Sequence, residues 1–252
     1  MKLKDKVTIL TGASSGIGYA TALAYAKEGA TVYAVARRAE KLKQLEEEGK
    51  DSEGKIIALS GDVSKEEDCK RVVNEVFEKE GRIDILINNA GIIDDYKSPV
   101  SITDEIWDAV MTTNVKSIML LSREVLPHMR EVKQGVILNT TSVGGFNGMR
   151  GGLAYVASKH AVVGMTKHIG YSYAKEGIRC VAVAPGAIGT EISGTVKDPD
   201  QHTLAMLMAG QKMFPVMAEP EQIASVFVFL GSEDASFING TTVIADGGWT
   251  AF

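Results

Sequence analysis

Only two cysteines occur in 252 residues, Cys69 and Cys180, far apart and in no metal-ligand spacing. That excludes a disulfide-framed secreted module and a cysteine zinc site, and it predicts reduced thiols in a cytoplasmic protein. The four histidines (His128, His160, His168 and His202) form no H-x-x-x-H or similar pair, so no metal is expected. Basic charge is not in excess: 27 Lys and Arg against 32 Asp and Glu leave a net charge of -5. A general nucleic-acid binder needs a basic face to neutralise phosphates, so nucleic acid is not an expected partner. No apolar run approaches a membrane span in length. The opening MKLKDKVTIL has too short an apolar stretch for a signal peptide. What is present is 45% apolar and 23% charged residues, enough for a globular core.

Short β-branched runs alternate with longer amphipathic ones. The runs 7–10, 31–36, 55–60, 84–88, 135–140, 179–184 and 241–245 are nearly continuously apolar, as strands are when helices cover both faces of a sheet. Helical patterns lie between them at 17–28, 39–48, 65–80, 103–132 (broken), 153–176 and 220–231. The alternation predicts an α/β, doubly wound, Rossmann-type fold: a seven-stranded parallel sheet with helices on both faces. No linker or repeat divides the chain, so residues 1–252 are expected to form a single dinucleotide-binding and catalytic domain. The one long irregular stretch, about 187–218, suits a substrate loop. Its methionines, Met206, Met208, Met213 and Met217, suit either an adaptable apolar lid or a packed helix.

The stretch TGASSGIG (Thr11–Gly18) joins the first strand to the first helix. Gly12, Gly16 and Gly18 there leave backbone N–H groups open to a phosphate at a helix N-terminus, flanked by Ser14, Ser15 and Ile17. A fold of this kind that prefers NAD places an acidic residue about 20 residues on, at the end of the second strand. Here that place holds Ala36, followed by Arg37 and Arg38. A guanidinium binds a phosphate through two hydrogen bonds, so NADP is the expected cofactor, with NAD possible. Arg37 is placed on the 2′-phosphate with Ser14 as a second donor, while Arg38, its neighbour on an extended chain, points the other way. Tyr155 and Lys159, four apart on a helical pattern, share a face. An ammonium near a phenol favours the phenolate and lowers its pKa, which suits proton transfer to an alkoxide. His160 turns well off that face and is not assigned as a base. Thr140, Thr141 and Ser142 all stand at the end of the fifth strand, where a hydroxyl would meet the ligand crevice.

TGASSGIG, then NNAG at Asn88–Gly91, then Tyr155-Val-Ala-Ser-Lys159, then Pro185-Gly186, occur in order and at expected intervals. The chain resembles the single-domain NAD(P)-dependent branch of the short-chain dehydrogenase/reductase family, from about Leu3 to Gly248. The resemblance implies an oxidoreductase passing a hydride between NADP(H) and a carbonyl or secondary alcohol, with Tyr155 as proton donor and acceptor. It selects Ser142 among the three hydroxyls and gives Lys159 a second role on the nicotinamide ribose. It makes Asn114 the residue that kinks its helix and anchors a water relay. It implies that Asp62 accepts from the adenine amino group, that Val63 packs near the ring, and that Asn88, Ala90 and Gly91 line the cofactor. Pro185, Gly186, Ile188 and Thr190 would meet the carboxamide end. A homotetramer is implied too, in agreement with small and apolar residues on more than one side of 153–176 (Ala154, Val156, Ala161, Val162, Val163, Met165, Ile169) and with Trp249 and Phe252 at the terminus. The alternatives are a non-catalytic dinucleotide-binding regulator, which the presence of both Tyr155 and Lys159 disfavours, an NAD-preferring member, and an enoyl reductase, which usually has a longer Tyr-to-Lys spacing. The substrate itself is not legible.

Overall fold

Seven apolar runs become seven parallel strands: β1 (Val7–Thr11), β2 (Thr31–Ala36), β3 (Lys55–Ser60), β4 (Ile85–Asn88), β5 (Gly135–Thr140), β6 (Ile178–Pro185) and β7 (Thr242–Ala245). They lie in the order β3-β2-β1-β4-β5-β6-β7. The computed structural model describes residues 1–211 and 216–251; Met213 and Phe252 lie outside the described residues. The central strand β1 is buried along its whole length. It pairs with β2 on one side and β4 on the other, so the winding reverses there and opens a crevice at the carboxyl ends of the strands.

Eight helices flank the sheet: α1 (Gly16–Lys27), α2 (Ala39–Glu48), α3 (Glu66–Glu80), α4 (Asp104–Met111), α5 (Ser117–Glu131), α6 (Leu153–Ser172), α7 (Gln201–Gln211) and α8 (Pro220–Gly231). Residues of α1, α2 and α8 build the core on one face, including Tyr25, Leu42, Leu45 and Phe227. Residues of α3, α5 and α6 build the other, including Val72, Val76, Leu120 and Ile169. The Tyr25 hydroxyl donates to the Phe227 carbonyl at 2.8 Å and ties α1 to α8 across a long sequence gap. Among the described residues no helix is long and apolar enough to cross a membrane. Cys69 and Cys180 are both free and buried. Burial pushes the two thiols up to about 11 and about 12, so both stay protonated.

One interruption falls where expected, and one segment differs from expectation. The break within 103–132 is a five-residue π-helical turn, Thr112–Lys116, between α4 and α5. The segment 187–218 is not simply irregular: it holds a 3-10 turn (Glu191–Thr195) and α7. The Asp200 carboxylate starts α7 by accepting from the Thr203 N–H at 2.9 Å. Leu207 is the large apolar side chain that α7 buries, whereas Met206 and Met208 are about half exposed, as is Met217 beyond it. The packed-helix explanation of those three methionines therefore fails.

Candidate active site

The glycine loop is shaped by close backbone approach. A Cβ on Gly12 would stand 2.8 Å from the Ala90 Cα, and Gly12 has a φ of +68. A Cβ on Gly18 would fall 2.3 Å from the Gly12 carbonyl oxygen. Only glycine lets α1 begin this close to the loop that precedes it. The fourth strand's NNAG locks against the same loop. The Thr11 hydroxyl accepts from the N–H groups of Asn89 (3.0 Å) and Ala90 (3.2 Å), and the Asn89 amide donates back to the carbonyls of Thr11 and Gly12. Thr11 and Asn89 both lie within the quoted motifs, but their pairing is not readable in the sequence, because the partners lie nearly 80 residues apart. Asn88 donates to Asn139 at 2.9 Å, while its own buried carbonyl oxygen has no protein partner. Thr190 closes over the loop from the far side, its Cγ2 3.0 Å from where a Gly16 Cβ would be. An open cleft lies between, lined by Gly16, Tyr19, Ile188, Thr190, Glu191 and Met217. Backbone cradle, orphan acceptor and cleft fit an extended dinucleotide.

The two arginines separate in space. Arg38 caps the start of α2 with φ -85 and ψ 84 and is no longer extended. Its guanidinium turns back onto the glycine loop, donating to Ser14 (3.1 Å), Ser15 (2.6 Å) and Glu191 (3.0 Å). Strand alternation fails as a guide for Arg38 because the strand has ended. Arg37 lies close enough to Asp62 for its charge to be felt there. Burial works to raise the Asp62 carboxyl, but hydrogen bonds from Ser64 and the charges of Arg37 and Lys65 outweigh it and leave the group below its usual range. Ser64 donates to the Asp62 Oδ1 through both its N–H and its hydroxyl.

At the opposite end of the crevice, α6 brings Tyr155 and Lys159 together, with the Lys159 Nζ 5.5 Å from the phenol ring centroid. Lys159 is buried and donates to the Thr140 carbonyl at 2.9 Å. Burial pushes its ammonium down to about 8. The three hydroxyls at and just beyond the end of β5 take different partners. Thr140 donates to the Asn89 side chain and Thr141 to the Lys159 carbonyl. Ser142 accepts from the Gly144 N–H at 3.0 Å and bonds the Tyr155 phenol. Tyr155 itself departs from the expectation of a lowered pKa. Desolvation dominates and raises it, the Ser142 bond opposes, and the nearby Tyr96 and Asp94 raise it further. The π turn aims Asn114 inward, where its side chain accepts from the Ile92 N–H and donates to the Ile92 carbonyl, both at 2.9 Å, and donates to Ser158. Gly91 lies between, its Cβ position 3.4 Å from the Asn114 Oδ1 and 3.6 Å from the Lys159 Nζ. Exposed His160 is spent on the Val156 carbonyl of its own helix. A residue the motifs do not mark, Asp94, is fully buried and accepts from the N–H groups of Gly152 and Tyr155, both at 3.1 Å, which anchors the first turn of α6.

Fold and crevice together define a dinucleotide-binding α/β protein with a tyrosine, a lysine and a serine gathered at the end of the cofactor cradle. A family described as Enoyl-(Acyl carrier protein) reductase matches residues 12–250. A 3-oxoacyl-[acyl-carrier-protein] reductase of Thermotoga maritima is 39% identical, spanning 98% of this chain and 99% of the relative. A 3beta-hydroxysteroid dehydrogenase 2 of Eggerthella lenta is 36% identical, spanning 99% of this chain and 96% of the relative. The crystal structure of a levodione reductase superposes with a TM-score of 0.91 at 36% identity, covering 99% of each chain. The chain belongs to the short-chain dehydrogenase/reductase family, in its single-domain NAD(P)-binding branch. It is an oxidoreductase that transfers a hydride between NAD(P)(H) and carbonyl or alcohol substrates.

Proposed function

We propose that Tyr155 is the proton donor and acceptor of that reaction, in a single cytoplasmic domain that prefers NADP(H). The observation that carries the reading is the convergence of Tyr155 with Lys159, which lies beside Gly91, and with Ser142, which shares the space at Gly144. The dinucleotide, when bound, supplies or takes the hydride. The phenol, kept protonated by its surroundings, gives its proton to the carbonyl oxygen as that oxygen gains charge. The Ser142 hydroxyl holds the same oxygen in place. Lys159, poised near neutrality, returns a proton toward the phenolate and bonds the ribose, and Asn114 keeps Ser158 and the Ile92 backbone fixed beside it. Asp62 and Val63 flank the adenine, and Pro185, Gly186, Ile188 and Thr190 the carboxamide. The two free, buried thiols suit a reducing compartment.

The NADP preference is supported by Ala36, where a carboxylate would repel a 2′-phosphate, and by the cations after it. Arg37 meets the phosphate while Arg38, already on Ser14 and Ser15, stiffens the loop. Steady-state rates at 340 nm with a panel of ketones should give a kcat/KM for NADPH that exceeds that for NADH by roughly tenfold or more, as expected for charge-assisted bonds. Ala36→Asp with Arg37→Ile should reverse the order. Equal values in the wild type, or an unchanged ratio in the double variant, reject the assignment.

A homotetramer is the proposed assembly. Of the α6 residues noted above, Ala154, Val162, Val163 and Ile169 are consumed by the chain's own core, leaving Val156, Ala161 and Met165 partly exposed. Trp249 is half-buried against Arg150 and is weaker support than its terminal position suggests. Better support comes from apolar side chains left open near the β7 edge: Tyr171 (88% exposed), Phe237 (fully exposed) and Ile244 (49%). Light scattering at micromolar concentration should give four times the 27.0 kDa chain mass; a monomer mass rejects the assembly.

A further inference from the structure

The arginines at 38, 71, 82, 123 and 130 each pair with a carboxylate. Arg150 does not. Among the described residues its contacts are a carbonyl and a ring: Nη1 donates to the Met149 carbonyl at 3.3 Å, and the guanidinium lies 4.4 Å over the Trp249 ring. Among the described residues its buried Nε has no hydrogen-bond partner. A charged donor hidden from water without an acceptor is an uncommon arrangement, and it wants an explanation.

Its location supplies one. A single point, the Cβ position of Gly144, is 3.3 Å from the Arg150 Cβ, 3.5 Å from the Ser142 Oγ and 3.6 Å from the Tyr155 ring. Arg150 therefore stands next to the serine and tyrosine of the proposed reacting centre. On its outer side it meets the substrate segment, with Nη1 3.5 Å from where a Gly210 Cβ on α7 would be. Trp249, from the far end of the chain, holds the guanidinium plane by cation–π contact. The preceding Met149 has a φ of +49, in the left-handed region that a side chain of its size rarely adopts. Strain of that kind concentrates where a neighbour must be aimed. So the guanidinium is held between the Met149 carbonyl, the Trp249 ring and α7, its Nε lacks an acceptor among the described residues, and the side chain starts beside Ser142 and Tyr155 at its Cβ. A planar carboxylate matches the Nε edge of a guanidinium, accepting through two oxygens.

We infer that Arg150 is a specificity residue, selecting ketones and alcohols that carry a carboxylate a few carbons from the reacting carbon. This rests on the reading of Ser142 and Tyr155 as the reacting centre. The test uses the whole protein with NADPH and matched pairs: β-, γ- and δ-keto acids, each against its own methyl ester. At one spacing the acid should exceed its ester in kcat/KM by about tenfold or more, with the difference in KM. Arg150→Leu should remove the acid's advantage and Arg150→Lys should restore part of it. Ester preference at every spacing, or an acid preference that survives Arg150→Leu, overturns the inference. A second readout needs no turnover. In a Trp107→Phe background loaded with NADP, the emission of Trp249 should respond to the keto acid and not to its ester, and Arg150→Leu should abolish the response. Emission that ignores the acid overturns the inference. Emission that responds in a protein reducing no ketone supports Arg150 and sinks the proton-transfer assignment instead.

Discussion

Tyr155→Phe is expected to lose turnover by roughly a thousandfold or more, the scale of a missing general acid, while melting and NADPH binding stay near wild type. The change deletes one oxygen. The ring that packs against Gly151 remains, and so does the Tyr155 N–H that holds Asp94. Ser142 would keep its bond to the Gly144 N–H and its place in the loop. The loss should therefore fall on kcat, because the deleted oxygen acts on the proton that must follow the hydride. Single-turnover rates with NADPH in excess would report this directly, and near-native kcat in the variant would remove Tyr155 from the reaction.

Lys159→Met should also abolish useful turnover, and yet yield a more stable protein without cofactor at neutral pH. The ammonium is buried, makes one bond to the Thr140 carbonyl, and is pushed down to about 8. Below that value the side chain is charged in the folded and the unfolded chain, and the folded form carries the full desolvation penalty, on the order of 3 kcal/mol. The lost bond to Thr140 offsets about 1–2 kcal/mol of it, so a net gain of roughly 1–2 kcal/mol is expected at pH 7. Between about 8 and the usual lysine value the folded lysine is neutral while the unfolded chain still binds the proton. Wild-type stability then rises with pH and the variant's advantage shrinks. Urea melts from pH 7 to 10 would show that convergence. A constant difference across the range would mean that Lys159 is not titrating there. Such a stability cost would be the counterpart of the role proposed for Lys159.

Much of this was legible in the sequence, for identifiable reasons. The strands are continuous apolar runs because both faces are covered, and the helices between them keep a clear period, so element types and most boundaries follow from local pattern. Gly12, Gly16, Gly18, Tyr155 and Lys159 sit at fixed short spacings and were readable as groups. What local pattern does not carry is the effect of distant partners. The sign of the Tyr155 shift depends on burial and on Asp94, some 60 residues earlier. Arg38 reaches Ser14 and Ser15 only because the chain leaves the extended state at α2. Thr11 and Asn89 hold the glycine loop from two strands that are neighbours in the sheet but far apart in the chain. α7 is legible only as one of two readings of its methionines, because it buries so little of its surface that its apolar residues show no single face.

The π turn at 112–116 bears on how this protein can change its length. Such a turn carries one residue beyond the α-helical count, and one residue rotates everything downstream by about 100°. Removing a residue between Thr112 and Lys116 would let α4 and α5 fuse into a straighter, more regular rod. The same deletion would swing Asn114 away from Ile92 and Ser158. A shortened helix would keep the fold and lose the contacts that place Asn114 in its proposed role. The irregular turn thus gives up backbone regularity for the inward placement of Asn114.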